Sequence, residues 1–369
     1  MTSGPAMRPR GRGDLVPVSL LTGFLGSGKT TVLNNLVRRP ELARTVVVIN
    51  EFGEIGLDHE LVESSSEDMV LLQSGCLCCT IRGDLIDTLR SLMARRIGGS
   101  IAPFERVIIE TTGLADPAPI LHTLMSDEAL VTSYRLDGVI ATVDAATAQA
   151  TLDRQVESVK QVAVADRLLL TKSDLVEAAE AKAVVDRLRT INPAAPLVIA
   201  SHGEVHPSEI LDAGLFNPTT KSLDVQRWLK AEAYGLAGDD HHDHDHHHHH
   251  GHAHRHDVNR HDEHIKAVCL TVDDPIPTAA LESWLSVLLA LKGEDLLRVK
   301  GILNVAEFDG PLVIHGVQHV FHPPVQLKKW PSNDRRSRIV FITRDIDEGA
   351  LRDTLKMFTD DPSYTAAAS

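Results

Sequence analysis

Eight consecutive residues, Gly23-Phe24-Leu25-Gly26-Ser27-Gly28-Lys29-Thr30, constrain this chain more than any other stretch. They follow the apolar run Val16 to Leu21 and precede the amphipathic segment Thr31 to Val37, so they read as a glycine-rich turn joining a strand to a helix. Such glycines let backbone N–H groups close around phosphate oxygens at a helix N-terminus, where unpaired amides and the helix dipole favour an anion. Lys29 would then lie against the β- and γ-phosphates of a nucleotide, and the Thr30 hydroxyl would sit on Mg²⁺. Gly23, Gly26, Ser27, Gly28, Lys29, Thr30 and Thr31 are the candidate phosphate-binding residues.

A strand followed by a helix sets the pattern for what comes next. Short β-branched runs at Thr45 to Ile49, Arg106 to Ile109, Gly138 to Val143, Arg167 to Leu170 and Pro196 to Ile199 alternate with helix-length amphipathic segments as far as about Leu229. Near-continuous apolar strands separated by helices indicate a parallel sheet covered on both faces, a doubly wound α/β domain of the P-loop nucleotidase type. Composition then breaks: Gly238 to His264 is a run of His and Asp with almost no apolar residue, which cannot bury a core and reads as a linker. A smaller domain follows. It has a strand at Ile265 to Val272, a helix with Leu281, Trp284, Leu285 and Leu288 on one stripe, strands near Leu297 to Glu307, Leu312 to His322 and Ser337 to Thr343, and a helix near Glu348 to Met357. That order predicts an α+β domain, an antiparallel sheet with helices on one side. The expected divisions are a disordered N-terminus over 1–14, the nucleotide domain over 15–237, the linker over 238–264, the second domain over 265–358 and a tail over 359–369.

Composition limits the functions open to such a chain. With 369 residues, 43% of them apolar, it can bury a substantial core, and its net charge of −14 argues against a protein whose main work is neutralising nucleic-acid phosphates. The Gly-, Pro- and Arg-rich stretch from Met1 to Asp14 is not a signal peptide, and no stretch approaches the roughly 18 apolar residues of a membrane span. The expectation is a cytosolic protein that binds neither nucleic acid nor membrane.

Two further elements complete a nucleotide site. The strand Arg106 to Ile109 ends in Glu110-Thr111-Thr112-Gly113: Glu110 can hold the Mg²⁺ shell or orient water, and Gly113 can let a backbone N–H approach the γ-phosphate. Thr171-Lys172-Ser173-Asp174 follows another strand. An ionised carboxylate is acceptor-only, so Asp174, with Lys172 beside it, suits the two N–H donors on guanine's Watson–Crick edge and selects GTP over ATP. Ser173 or Asp174 also reads as a helix N-cap, and the two roles are compatible. Lys29, Thr30 and Glu110 are the candidate catalytic residues of a GTPase that converts GTP to GDP and phosphate. No arginine finger accompanies these motifs, so intrinsic hydrolysis is expected to be slow.

Three of the four cysteines fall within four positions, Cys76, Cys78 and Cys79, which in a reducing compartment points to metal or redox chemistry. Three thiolates suit tetrahedral Zn²⁺, with water or a carboxylate in fourth place, and Glu54 is the candidate. A redox couple and an inert loop are the competing readings. Cys269, within an apolar strand pattern, reads as core. The tract His241 to His264 holds thirteen of the twenty histidines interleaved with aspartates. Neutral imidazoles of this kind bind Zn, Co, Ni and Cu weakly and exchange them fast, although a solvating spacer or a tag has similar composition. His315, His319 and His322 read as structural residues.

The octapeptide, Asn50 to Glu54 with Gly56 and Asp58, Gly75 to Cys79, Glu110 to Gly113 and Thr171 to Asp174 together resemble the CobW-type GTPases, relatives of the nickel-insertion GTPases of urease and hydrogenase maturation. The likeness covers both domains and the linker, and Cys-x-Cys-Cys is its most specific part. It implies a metallochaperone that loads Zn²⁺ or Co²⁺ in the Mg-GTP state and releases it to a client metalloprotein after hydrolysis. Thr171 departs from the Asn usual in GTPases, but Thr is frequent in this family. The resemblance admits a homodimer across the nucleotide, which no residue of this chain indicates. Two other readings remain: an activator of a metalloenzyme such as a nitrile hydratase, with redox-active cysteines, and a His-rich metal store.

Overall fold

The computed structural model describes residues 15–52, 69–74, 79–211, 264–361 and 363. Seven strands form one sheet: β1 (Val16–Gly23), β2 (Thr45–Phe52), β3 (Met69–Ser74), β4 (Arg106–Thr111), β5 (Tyr134–Asp144), β6 (Arg167–Thr171) and β7 (Leu197–Ala200), in the order β3-β2-β4-β1-β5-β6-β7. Every pairing in it is parallel. Successive side chains of a strand point to opposite faces, and here both faces are covered. Leu20, Val48 and Ile109 pack with Leu85 and Leu89 of the helix Cys79–Ile97 and with Leu121 of the helix Ala118–Ser126. Their neighbours Leu21, Val47, Ile49 and Ile108 pack on the other side with Val32, Leu33 and Leu36 of the helix Lys29–Val37. Double coverage is why the strands read as unbroken apolar runs. Parallel order also brings the carboxyl ends of all seven strands to one edge, where open α/β sheets bind ligands.

The strands run further at that edge than hydrophobicity alone predicts. β1 continues to Gly23, β2 to Phe52 and β4 to Thr111, because residues near their ends keep ladder partners although several are polar or glycine: Glu110 pairs with Leu21, Gly23 with Thr142 and Asn50 with Thr111. The helix that leads from β3 towards β4 spans Cys79–Ile97.

The second sheet is antiparallel, with β8 (Ile265–Val272), β9 (Leu296–Leu303), β10 (Leu312–Val317), β11 (Val320–Phe321) and β13 (Ser337–Arg344) in the order β11-β10-β9-β13-β8, and β12 (Val325–Gln326) paired to β10. Leu312 to His322 is thus a hairpin rather than one strand. Gln318, at φ 51°, turns the chain between β10 and β11. The helices Thr278–Lys292 and Glu348–Thr359 cover one face, where Trp284 meets Phe341 edge-on with ring centroids 6.0 Å apart. Cys269 lies in the sheet's other face at 1% exposure, and burial pushes its thiol up to about 11.

That other face meets the first domain. Ile265, Leu297 and Ile342 join Val159, Val162 and Leu188 in one core, and His122 Nε2 donates to Val317 O at 2.9 Å. Between these contacts Asp166, the residue before β6, is 4% exposed. Arg298 Nη2 pairs with its Oδ1, Lys300 Nζ lies 2.6 Å from the same oxygen, and Val139 N donates to its Oδ2 at 3.0 Å. Burial alone would raise the Asp166 pKa, but Arg298 and Lys300 more than reverse this and hold the carboxyl well below the usual carboxylate range.

Replacing Asp166 by Ala leaves Arg298 buried without its counter-charge, a change that typically costs about 3–5 kcal/mol. Urea unfolding at pH 7 should show a loss of that size, and a loss under about 1 kcal/mol would contradict the assignment. Because the folded pKa lies below the unfolded value of about 3.9, the contribution is complete above that pH and fades as pH falls below it. The gap between wild type and variant should therefore narrow in acid.

Candidate functional site

The chain leaves β1 at Gly23 with φ 143°, and a Cβ there would fall 2.2 Å from Thr142 Oγ1 and 2.5 Å from Thr142 O, so only glycine fits. Gly28 caps the following helix at φ 89°, and no acidic residue occupies that helix's first turn to compete with an anion. Three hydroxyls brace the loop from below. Ser27 Oγ lies 2.6 Å from Thr142 Oγ1, Thr171 Oγ1 donates to Ser27 O at 2.8 Å, and Thr111 Oγ1 donates to Thr22 Oγ1 at 2.9 Å. Lys29, 8% exposed, turns its ammonium back over the loop to Gly23 O at 3.0 Å and Phe24 O at 3.2 Å. The positive charge is thereby held inside the concavity that the amides enclose.

Thr30 and Glu110, 80 residues apart in sequence, meet here: Thr30 Oγ1 donates to Glu110 Oε1 at 2.8 Å. Glu110 is buried at the end of β4. A hydroxyl and a carboxylate side by side, both hard oxygen donors beside a phosphate cradle, fit a Mg²⁺ ion that keeps most of its ligands from water and phosphate.

Past β4 the backbone crosses the phosphate loop so closely that a Cβ on Gly113 would lie 2.5 Å from Leu25 N. This crossing is clamped from the helix Val156–Val164. Gln161 Nε2 donates to Gly113 O at 3.2 Å and Ala115 O at 3.0 Å, and Lys160 Nζ lies 2.7 Å from Asp116 Oδ2. The Gln161 and Lys160 clamp escaped the sequence reading because its residues lie in an ordinary amphipathic helix. Only the tertiary path of residues 112–116 gives them a role.

On the far side of the loop Lys172 adopts φ 54° and pairs with Asp144 Oδ2 at 2.8 Å. Asp174 stands exposed in the single 3-10 turn Ser173–Leu175, which has no side-chain cap. Neither Ser173 nor Asp174 caps the next helix, Ala178–Ile191, whose N-cap is Glu177, so the capping role is not taken up. A second wall comes from the turn after β7. His202 and Gly203 both have positive φ, Asn35 Nδ2 donates to His202 O at 3.1 Å, and Gly203 packs over the exposed Thr31. A His-Gly pair following a strand was the sequence signal for this turn.

Residues 17–199 match the nucleotide-binding domain of the CobW/HypB/UreG family, and residues 265–359 match the C-terminal domain of the cobalamin synthesis protein CobW. The chain is 32% identical over 338 residues to the zinc chaperone YjiA of Escherichia coli K12, covering 91% of this chain and 96% of that one. It is also 32% identical over 375 residues to the zinc chaperone CobW of Pseudomonas aeruginosa, covering 92% and 91%. The crystal structure of a zinc-bound triple mutant of the YjiA GTPase superposes with a TM-score of 0.66 at 28% identity, covering 93% of this chain and 99% of that one. The chain belongs to the CobW/HypB/UreG family.

Within a CobW-type nucleotide domain, Thr171 stands where GTPases commonly have Asn, and its hydroxyl does the tethering itself, bonding the phosphate loop at Ser27 O. Of the metal candidates, Cys76, Cys78 and Glu54 lie outside the described residues, as does the His tract except His264, which pairs with Asp345 at 2.7 Å. Cys79 is the first residue of the helix Cys79–Ile97. Among the described residues no three His, Cys, Asp or Glu side chains gather as a metal site. His315 is buried at 3% exposure, and burial, reinforced by Arg298, pulls its pKa well below the ordinary value.

The described ends of the flanking strands are informative. β2 and β3 pair in register up to their last residues, Phe52 opposite Ser74, and Ile49 of β2 lies opposite Glu110 of β4. The two segments that carry Glu54 and the cysteines therefore leave the sheet from adjacent positions about 4.8 Å apart, on the edge where Thr30 meets Glu110.

Glu110→Gln should raise the Mg²⁺ concentration needed for half-maximal nucleotide binding by about tenfold or more, equivalent to 1.4 kcal/mol. An unchanged Mg²⁺ dependence would remove Glu110 from the ion's shell. Gln161→Leu keeps the side chain's bulk and removes its donor, so kcat for nucleotide hydrolysis should fall about tenfold while KM stays within about threefold. A rise in KM alone would show that Gln161 serves binding, not the geometry of residues 113–116.

Proposed function

We propose that this protein is a GTP-hydrolysing metallochaperone that binds Zn²⁺, or alternatively Co²⁺, at Cys76, Cys78, Cys79 and Glu54 in its Mg-GTP state and delivers it to a client metalloprotein. The observation that carries the reading is the strand register: the segments bearing Glu54 and the thiolates start from paired residues on β2 and β3, one and two strands away from the strand of Glu110. Family membership and the zinc chaperones among its relatives support it.

The amides of residues 23–28 and the Lys29 ammonium bind the phosphates and stabilise charge on them, while Thr30 and Glu110 would hold Mg²⁺. Mg²⁺, when bound, neutralises charge on the β- and γ-phosphate oxygens. Gly113, fixed by Gln161, presents its backbone beside Leu25, where the γ-phosphate end of the cradle lies. Asp174 accepts from guanine, with Lys172 held beside it by Asp144. Loss of the γ-phosphate removes what orders the loops after β2 and β3, and the metal ligands disperse with it. Linkage makes the effect reciprocal. If GTP tightens the metal about 5–150-fold, the metal tightens GTP by the same factor.

In the YjiA relative, zinc is present in crystals after one glutamate and two cysteines have been replaced by alanine. Bound zinc alone therefore does not identify a site, and nucleotide dependence has to. Competitive Zn²⁺ and Co²⁺ titrations with Mg²⁺ and either GDP or a non-hydrolysable GTP analogue, on wild type and on the Cys76→Ser/Cys78→Ser/Cys79→Ser variant, supply that readout. A tight one-to-one site with the analogue, weaker by about fivefold or more with GDP and absent from the variant, is the expected result. Equal affinity in both nucleotide states, surviving the replacements, would place the metal on the His tract and make the protein a metal store.

A further inference from the structure

Residues 328–338 read Lys-Lys-Trp-Pro-Ser-Asn-Asp-Arg-Arg-Ser-Arg, five cations and one acid in a chain of net charge −14. They belong to the second domain and have no part in the nucleotide site or the proposed metal site. Six of them, Lys328, Lys329, Trp330, Ser332, Asn333 and Arg335, line with Asp309 and Gly310 a concavity of about 390 Å³. Its shape is fixed by backbone and core. Leu327 N donates to Pro311 O at 2.9 Å, which draws the loop so close to Gly310 that a Cβ there would lie 2.4 Å from Leu327 O. Trp330 anchors the loop by packing, half-buried, against the cluster of Cys269, Ile302, Val313 and Val340.

The charges of residues 328–338 divide into two groups. Asp334, the loop's one acid, is taken up by its neighbours: Arg336 Nε lies 3.1 Å from Oδ1, Arg336 Nη2 lies 3.0 Å from Oδ2, and Arg338 contacts the same Oδ2. Lys328, Lys329 and Arg335 are exposed around the concavity, and each is without an ion pair among the described residues. Three cations that a protein leaves unpaired around one hollow attract an anion and focus its approach.

We infer that this hollow docks an acidic peptide segment of a partner protein, with carboxylates on Lys328, Lys329 and Arg335 and an apolar side chain against Trp330. Two features favour a peptide over a nucleic acid. A nucleic-acid strand running past the hollow meets a chain that is strongly negative overall, whereas a short acidic segment ends within it. Asp309 lines the same hollow, so its lining mixes one carboxylate with three cations, which suits spaced carboxylates better than a dense row of phosphates.

The probe is a fluorescein-labelled dodecapeptide of Glu-Glu-Asp-Leu repeated three times, titrated by anisotropy into the full chain with neither metal nor nucleotide present. Saturable binding is expected at about 0.05 M salt. It should weaken at least tenfold at about 0.5 M, where screening is strong. Lys328→Glu/Lys329→Glu/Arg335→Glu should abolish it. The milder Lys328→Gln/Lys329→Gln/Arg335→Gln should weaken it at least tenfold at an unchanged Tm, and Lys182→Glu, an exposed lysine of the first domain that does not line the hollow, should leave it intact. No saturable binding by wild type, equal binding by the glutamine variant, or tighter binding of a mixed-sequence single-stranded DNA 12-mer would each overturn the proposal. Because metal and GTP are absent, the result is independent of the metallochaperone reading.

Discussion

Strand β6 is the part on which the rest of the molecule depends. It is five residues long and buried throughout. At its carboxyl end the Thr171 hydroxyl holds the phosphate loop at Ser27 O, and just before its amino end Asp166 receives Arg298 and Lys300 from the second domain. A hydrogen bond of the first kind is worth about 1 kcal/mol net. The ionic contact is different in character. Desolvating three charged groups offsets most of their attraction, so the contact adds little to stability compared with an apolar replacement, yet any misplacement leaves a buried charge unpaired. It therefore acts by excluding other ways of docking the two sheets. Apolar contacts such as Leu297 and Ile342 against Val159 and Leu188 supply the affinity between domains, and the ions supply the register.

The nucleotide cradle is built in the same manner, by fixing groups before any ligand arrives. Lys29 is held over the loop by two of the loop's own carbonyls, Thr30 already touches Glu110, and Gly113 is pinned through Gln161. Preorganised dipoles stabilise developing charge without reorganising during the reaction, which is where such sites gain most of their rate. Apart from the local Lys29 contacts, each brace joins residues far apart in sequence. The site thus exists only once the sheet order β4-β1-β5-β6 has formed.

Much of this was readable from the sequence, for definite reasons. The octapeptide announces itself because glycine and lysine at fixed offsets have few other uses between a strand and a helix, and the doubly covered sheet shows as unbroken apolar runs. The second domain's helices on one face of an antiparallel sheet were legible from the Leu281, Trp284, Leu288 stripe. The Leu312 to His322 hairpin was not, because its turn at Gln318 uses a left-handed residue that carries none of the usual Gly or Asn signal. Gln161, Asp166 and Arg298 were missed for a more general reason. A buried polar residue has no periodicity of its own, and its purpose is set by a partner more than 40 residues away. Glu110 was found only because a strand ends in it behind a complete phosphate loop.

The order of the strands also bears on how nucleotide and metal could communicate. Among the described residues β3 lies at the sheet's edge, paired only to β2, whereas β2 is paired on both sides and β4 lies between β2 and β1. A change at Glu110 reaches β2 through the Ile49 pairing and β3 through Leu71 opposite Ile49, with no helix or domain boundary to cross. Coupling of 1–3 kcal/mol, the usual range, equals a few hydrogen bonds made or lost. A switch of that size needs only the segments leaving these strand ends to change partners, while the ladders, the β6 tether and the Asp166 contact stay fixed. A larger motion that opened the two domains would have to expose the apolar contacts of Ile265, Leu297 and Ile342 with Val159, Val162 and Leu188, at about 1.5–3 kcal/mol for each side chain laid bare, more than the linkage could return. The architecture therefore favours a local switch at the sheet's carboxyl edge, with the second domain held as a rigid platform beside it.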